Sequence, residues 1–161
     1  VAGHDRRELV ASESLAIWTT PPGGPELRAA LARVSPRIVY LFAVNPGLDH
    51  PESFLTHLAR LTKRAIMKDG GAVELSALAA AMAHRVETVQ TGLAWLEAKG
   101  HVVPLEERHD TVRLALGDGA TSEDLPEIGE RLQALLAETR AYRTYVARGD
   151  AAALINNAVE D

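Results

Sequence analysis

The sequence predicts an α/β chain in which a small βαβ unit, a Rossmann-like half, is fused to a winged helix-turn-helix and closed by a long C-terminal helix. Three observations predict it. Between Gly70 and Leu116 two helical patterns, a turn and a two-stranded hairpin follow one another in winged-helix order. Ahead of them, two apolar β-type runs flank one amphipathic helix. Behind them, apolar residues keep helical spacing for about twenty residues. The expected domains are residues 1–50, 51–118 and 119–161.

The elements follow in order. Leu15-Ala16-Ile17-Trp18 is a short apolar run stopped by the Pro21-Pro22-Gly23-Gly24 cluster. Pro25 or Glu26 opens a helix to Val34, with Leu27, Ala30, Leu31 and Val34 on one face and Pro where its missing N–H costs nothing. Ser35-Pro36 ends it. Arg37 to Val44 is nearly continuously apolar, as a strand covered on both faces is. Strand, helix, strand at this spacing reads as a right-handed βαβ unit. Two strands are too few for a stable open sheet, so another is expected from Arg7 to Ser12, from the wing, or from a missing part of the protein.

Pro51 to Met67 reads as the first helix of the winged unit, burying Phe54, Leu55, Leu58, Leu61, Thr62, Ala65 and Ile66. Leu75 to Met82 is a short helix, Ala83-His84-Arg85 a turn, and Val86 to Lys99 the helix that would enter a DNA groove. Gly100 supplies the stop expected just past a helix end. His101 to Leu105 and Thr111 to Leu116 read as strands around the polar turn Glu106 to Asp110. Ser122 or Thr121 caps a helix to about Ala147 whose first turn holds Glu123, Asp124 and Glu127. Tyr142 and Tyr145 are expected as half-buried anchors. Asp150 opens a last short helix through Ala158.

Of 161 residues, 47% are hydrophobic and 24% charged, ordinary for a folded protein. The absence of cysteine excludes disulfide scaffolds, thiolate zinc sites and cysteine nucleophiles, and suits a reducing, cytoplasmic location. No apolar run reaches a membrane span, and residues 1–7 lack the apolar core of a signal peptide. The chain starts at Val1 rather than Met, as an excised piece of a longer protein does, although Met removal or tag trimming leaves the same start. Lys+Arg balance Asp+Glu through residue 100, and the net charge of -5 sits in the last third. That acidity repels phosphate backbones and fits a basic protein partner or plain solubility.

Groove-reading helices meet phosphates with Lys and Arg. Here the residues expected to face outward are Arg85, Glu87, Thr88, Gln90, Thr91, Ala94 and Glu97, one firm cation against two carboxylates. Arg85, Thr88, Gln90 and Thr91 are the weaker recognition-helix candidates, and Gln90 suits an adenine edge. The hairpin tip carries three carboxylates to one arginine. The concentrated cationic surface is instead on the preceding helix, where His57, Arg60, Arg64 and Lys68 fall in one stripe with Lys63 beside it. These five are the candidate nucleic-acid contacts. A solvated polar face with a dipole-favoured basic end explains them equally in form.

Catalytic chemistry has no foothold in the sequence. The histidines at 4, 50, 57, 84, 101 and 109 make no H-x-x-x-H pair, and no nucleophile elbow is present. Asp49-His50 suits a turn or cap better than a metal. Gly23-Gly24 lacks the spacing and the Lys-Ser/Thr of a phosphate loop. Catalytic, metal and cofactor residues are therefore expected to be none.

Taken together, Trp18-Thr19-Thr20-Pro21-Pro22, the helix Glu26-Leu27-Arg28-Ala29-Ala30-Leu31, the strand Arg37-Ile38-Val39-Tyr40-Leu41-Phe42, then a winged helix and a terminal helix resemble the carboxy-terminal region of RecJ-type single-stranded-DNA exonucleases of the DHH family. The likeness spans about residues 12–155. It implies a manganese-dependent hydrolase of DNA repair and recombination that degrades single strands from the 5′ end. Its DHH and G-G-H motifs have no match here, since Gly23-Gly24 precedes Pro25 and no Asp-His-His exists. The resemblance thus implies a nuclease core, with its manganese, upstream in the same chain. For this piece it implies an accessory role in docking repair proteins or guiding single-stranded DNA, away from membranes. A winged-helix transcription regulator and a small-molecule-binding βαβ domain are the rival readings.

Overall fold

The computed structural model describes residues 6–150 and residue 155. The expected final helix from Asp150 to Ala158 lies, apart from those positions, outside the described residues. Ten elements run β1 (Ser14–Thr19), α1 (Gly24–Val34), β2 (Ile38–Val44), α2 (Pro51–Lys68), β3 (Ala72–Glu74), α3 (Leu75–Ala81), α4 (Val86–Ala98), β4 (Val102–Arg108), β5 (Thr111–Leu116) and α5 (Leu125–Arg148). The chain is mixed α/β with a long C-terminal helix. It divides into two compact units: one runs to Pro46 and resumes at Glu138, and the other is Gly47–Ala137.

In the first unit β1 and β2 pair in parallel, Leu15 opposite Val39 and Ile17 opposite Leu41. The register shifts beyond Ile17, because Phe42 and Ala43 together stand opposite Trp18, and Ala43 takes φ 54. One face of this pair, Leu15 and Ile17, packs with Leu27, Leu31 and Val34 of α1, and Leu9, Val39, Leu41 and Ile155 close the cluster. The expectation of a strand covered on both faces fails here: Ile38, Tyr40, Phe42 and Val44 are exposed. Continuous hydrophobicity along β2 shows that both faces are apolar, and not that both have something to pack against. Arg7 to Ser12 adds no strand, and the other strands belong to a separate sheet, so among the described residues this sheet has two strands.

The second unit contains an antiparallel sheet in the order β3-β5-β4. Its core joins Phe54 and Leu58 of α2, Leu75, Leu78 and Ala79 of α3, Val89, Leu93 and Leu96 of α4, Val102, Val112 and Leu114 of the hairpin, and Leu132 and Leu136 of α5. Gly100, at φ 74, ends α4, and a side chain there would overlap the backbone of Gly119 and Ala120. Ser122 serves the entry to α5, its Oγ accepting the Asp124 amide at 3.2 Å. Glu123 and Asp124 precede that helix, which leaves Glu127 in its first turn.

The hairpin is tighter than expected. β4 continues through Glu106, Glu107 and Arg108, and His109, at φ 47, makes the reversal with Asp110. A register shift between Pro104 and Glu106 leaves Leu105 as the extra residue. Pro104 has no N–H to give the ladder, and an edge strand is where that loss is tolerated.

Candidate functional site

The cationic stripe of α2 forms as the helical spacing requires. Arg60, Lys63, Arg64 and Lys68 are exposed and His57 is half-buried, while Phe54, Leu58 and Thr62 anchor the opposite face in the core. An Arg60 guanidinium N–H donates to Nδ1 of His57 at 2.8 Å. Arg60, Arg64 and Lys68 repeat like charge at i, i+4 intervals, an arrangement that costs a helix about 0.2–0.5 kcal/mol per pair. The C-terminal end of the helix dipole offsets part of this cost at Lys68. Met67, also exposed, lies within the stripe. No aromatic side chain of α2 stands on this face.

The second candidate set is only partly assembled. Thr88 and Thr91, expected to face outward, are buried. The reason is that α4 is enclosed on three sides. Gly92 lies against Phe54 and Leu58 of α2. Leu93 and Leu96 join the core with α3 and the hairpin. The first half of α5 covers a third side, where Gly129 neighbours Trp95 and the Arg131 guanidinium pairs with Glu87 at 2.9 Å. Thr91 spends its hydroxyl on the Glu87 carbonyl at 2.9 Å. Arg85 is half-buried in the N-cap position. What α4 presents to solvent is a narrow arc of Glu87, Gln90, Ala94 and Glu97, with no cation in it.

The hairpin adds no cationic surface. Arg108 donates to Glu106 at 2.6 Å. Asp110 faces inward to α3: its carbonyl accepts the Leu75 amide at 2.7 Å and its carboxylate the Ser76 amide at 3.1 Å, so a tip residue caps a helix 34 positions earlier. Between α4 and the hairpin lies a groove of about 280 Å³. Leu93, Val112 and Leu114 form its floor, and Gln90, Glu97 and Glu107 stand at its sides.

Sequence reading missed one polar cluster. His84, in the turn before α4, is fully buried, and its ring N–H at Nε2 donates to the Leu48 carbonyl at 3.0 Å. Oδ1 of the buried Asp49 lies 3.6 Å from the same nitrogen, and the ring meets Phe54 edge-on at 5.0 Å. Asp49 therefore belongs with His84 rather than with its neighbour His50. The only advance signal was a histidine in a turn between two apolar helices. In the first unit, burial pushes the Tyr142 hydroxyl above its ordinary value, the nearby Glu26 carboxylate raises it further, and Arg28 opposes both. Tyr145, expected half-buried, is exposed.

Among the described residues no group of three or more His, Asp or Glu is placed to hold a metal ion, and no helix is long and apolar enough to cross a membrane. Compared with protein-family models, with curated proteins and with solved structures, the chain matches none.

Proposed function

We propose that this chain is the non-catalytic carboxy-terminal domain of a RecJ-like 5′→3′ single-stranded-DNA exonuclease, and that it docks proteins for the nuclease rather than reading duplex DNA. On this reading residues 51–118 are a winged helix-turn-helix, with α4 in the place of the recognition helix and β4–β5 as the wing. The observation that carries the docking role is the solvent-facing arc of α4, Glu87, Gln90, Ala94 and Glu97, which has two carboxylates and no cation. Phosphates in a groove would meet repulsion from that arc, whereas a basic, apolar protein segment would meet attraction. The same observation disfavours a transcription regulator. The catalytic manganese and its ligands belong, on this reading, to a core elsewhere in the parent protein.

A second role is favoured by a separate observation, the exposed cations Arg60, Lys63, Arg64 and Lys68 on α2. They suit the backbone of a single strand passing toward a nuclease. Against this role, single-strand tracks pair such charges with stacking aromatics, which α2 does not supply on that face.

The test is a salt titration of binding to a fluorescent single-stranded oligonucleotide, beside the matching duplex, with the wild type and with Arg60, Arg64 and Lys68 changed together to Glu. Absence of binding to either form at low salt supports protein docking. Submicromolar single-strand binding that falls steeply with salt and is lost in the triple variant moves the assignment to strand guidance. Tight, salt-sensitive duplex binding overturns both in favour of the regulator.

A further inference from the structure

The uncovered face of the β1–β2 pair is an anomaly for a parallel sheet. Parallel strands occur almost only where both faces are buried, and this pair buries one. The other face presents Trp18, Ile38, Tyr40, Phe42 and Val44, with Trp18 63% and Phe42 54% exposed. The Trp18 and Phe42 rings lie 4.9 Å apart, so the aromatics form one surface rather than scattered contacts. Aromatic side chains carry roughly 150–250 Å² apiece, so three half-exposed rings with Ile38 and Val44 make an apolar patch on the order of 500 Å². Ala16 completes the face, and none of these six side chains is charged at neutral pH.

We infer that this face is the contact surface of a homodimer, covered by the same face of a second copy. The absence of charge identifies the occupant: the face offers no ionic complement that would select an acidic or basic partner, and two identical copies meet on it without like-charge repulsion. A two-fold contact requires one patch to be complementary to itself, and a uniformly apolar face meets that condition. Two such patches pressed together bury about 1,000 Å², the threshold for a specific interface, which fits a weak and reversible dimer. Face-to-face sheets stack about 10 Å apart, room for the two aromatic layers to interdigitate. Pairing through the open strand edges would leave the rings in water, so stacking rather than edge addition is the mode.

Sedimentation velocity on the whole chain over a thousandfold concentration range tests the inference. A reversible monomer-to-dimer shift is expected, and Tyr40→Lys and Phe42→Glu should each raise its dissociation constant by about 30-fold, the loss typical of a buried interface aromatic. Both positions are exposed, and circular dichroism checks that the variants stay folded. Independently, tryptophan emission should shift to the blue as dimer forms, and Trp18→Phe, which keeps the face apolar, should abolish the shift while preserving association. A monomer at every concentration overturns the inference, and so does a dimer that neither charged variant weakens. None of these readouts depends on nucleic-acid binding.

Discussion

Gly92 of α4 and Phe54 of α2 approach so closely that a Cβ on Gly92 would stand 2.7 Å from Cε1 of the ring, with Leu58 Cδ2 at 2.6 Å on its other side. The contact holds α4 against α2 at a distance only glycine allows. Gly92→Ala gains up to about 1 kcal/mol of helix propensity but overpacks a core that resists added methylenes at about 1–3 kcal/mol. Net destabilisation of about 1–2 kcal/mol is expected from urea unfolding, with Gly92→Val worse. A more stable Gly92→Ala protein would show that α2 and α4 separate easily.

His84 ties the turn before α4 to the segment before α2. Replacing it with Ala removes the donor to Leu48, the edge contact with Phe54 and a fully buried volume at once. A loss of about 2–4 kcal/mol is expected in chemical denaturation, from a cavity together with an orphaned carbonyl and carboxylate. His84→Gln, which can still donate to Leu48, should recover part of it.

Alkaline pH bears on the first unit through Tyr142. Its folded-state pKa is raised above the model value of 10.0, chiefly by burial and then by Glu26. The folded state therefore holds this proton more tightly than the unfolded chain does. The associated stability is fully present below about pH 10 and is lost as pH rises through the folded pKa. Denaturation midpoints measured on either side of that point should fall with pH, and Tyr142→Phe should flatten the fall.

Reversing the charge of the α4 arc should create what the protein lacks. Gln90→Lys together with Glu97→Lys puts two cations beside the groove without touching the core, since both side chains are exposed. On the winged-helix reading, binding to random duplex should appear at low salt, with a log-log salt slope steeper by about 1.8 than that of the wild type. An unchanged slope would mean that α4 does not face a groove at all.

Helical periodicity and stop signals alone predicted α1, α2, α4 and α5, because a 3.6-residue apolar repeat, Pro51 at a first turn and Gly100 at a last are local properties of the chain. The cationic stripe of α2 was legible for the same reason: its members lie within twelve residues on one helix. What surrounds each element was decided by tertiary structure. Thr88 and Thr91 are polar and sit where a lone helix would expose them, yet α2 and α5 enclose them. Asp110 caps α3 and His84 reaches Leu48 across 34 and 36 residues, pairings that no local pattern encodes. The apolar run of β2 was read as a strand buried on both sides, whereas burial needs a second surface as well as a hydrophobic side chain. For Trp18, Tyr40 and Phe42 the fold of a single chain brings none.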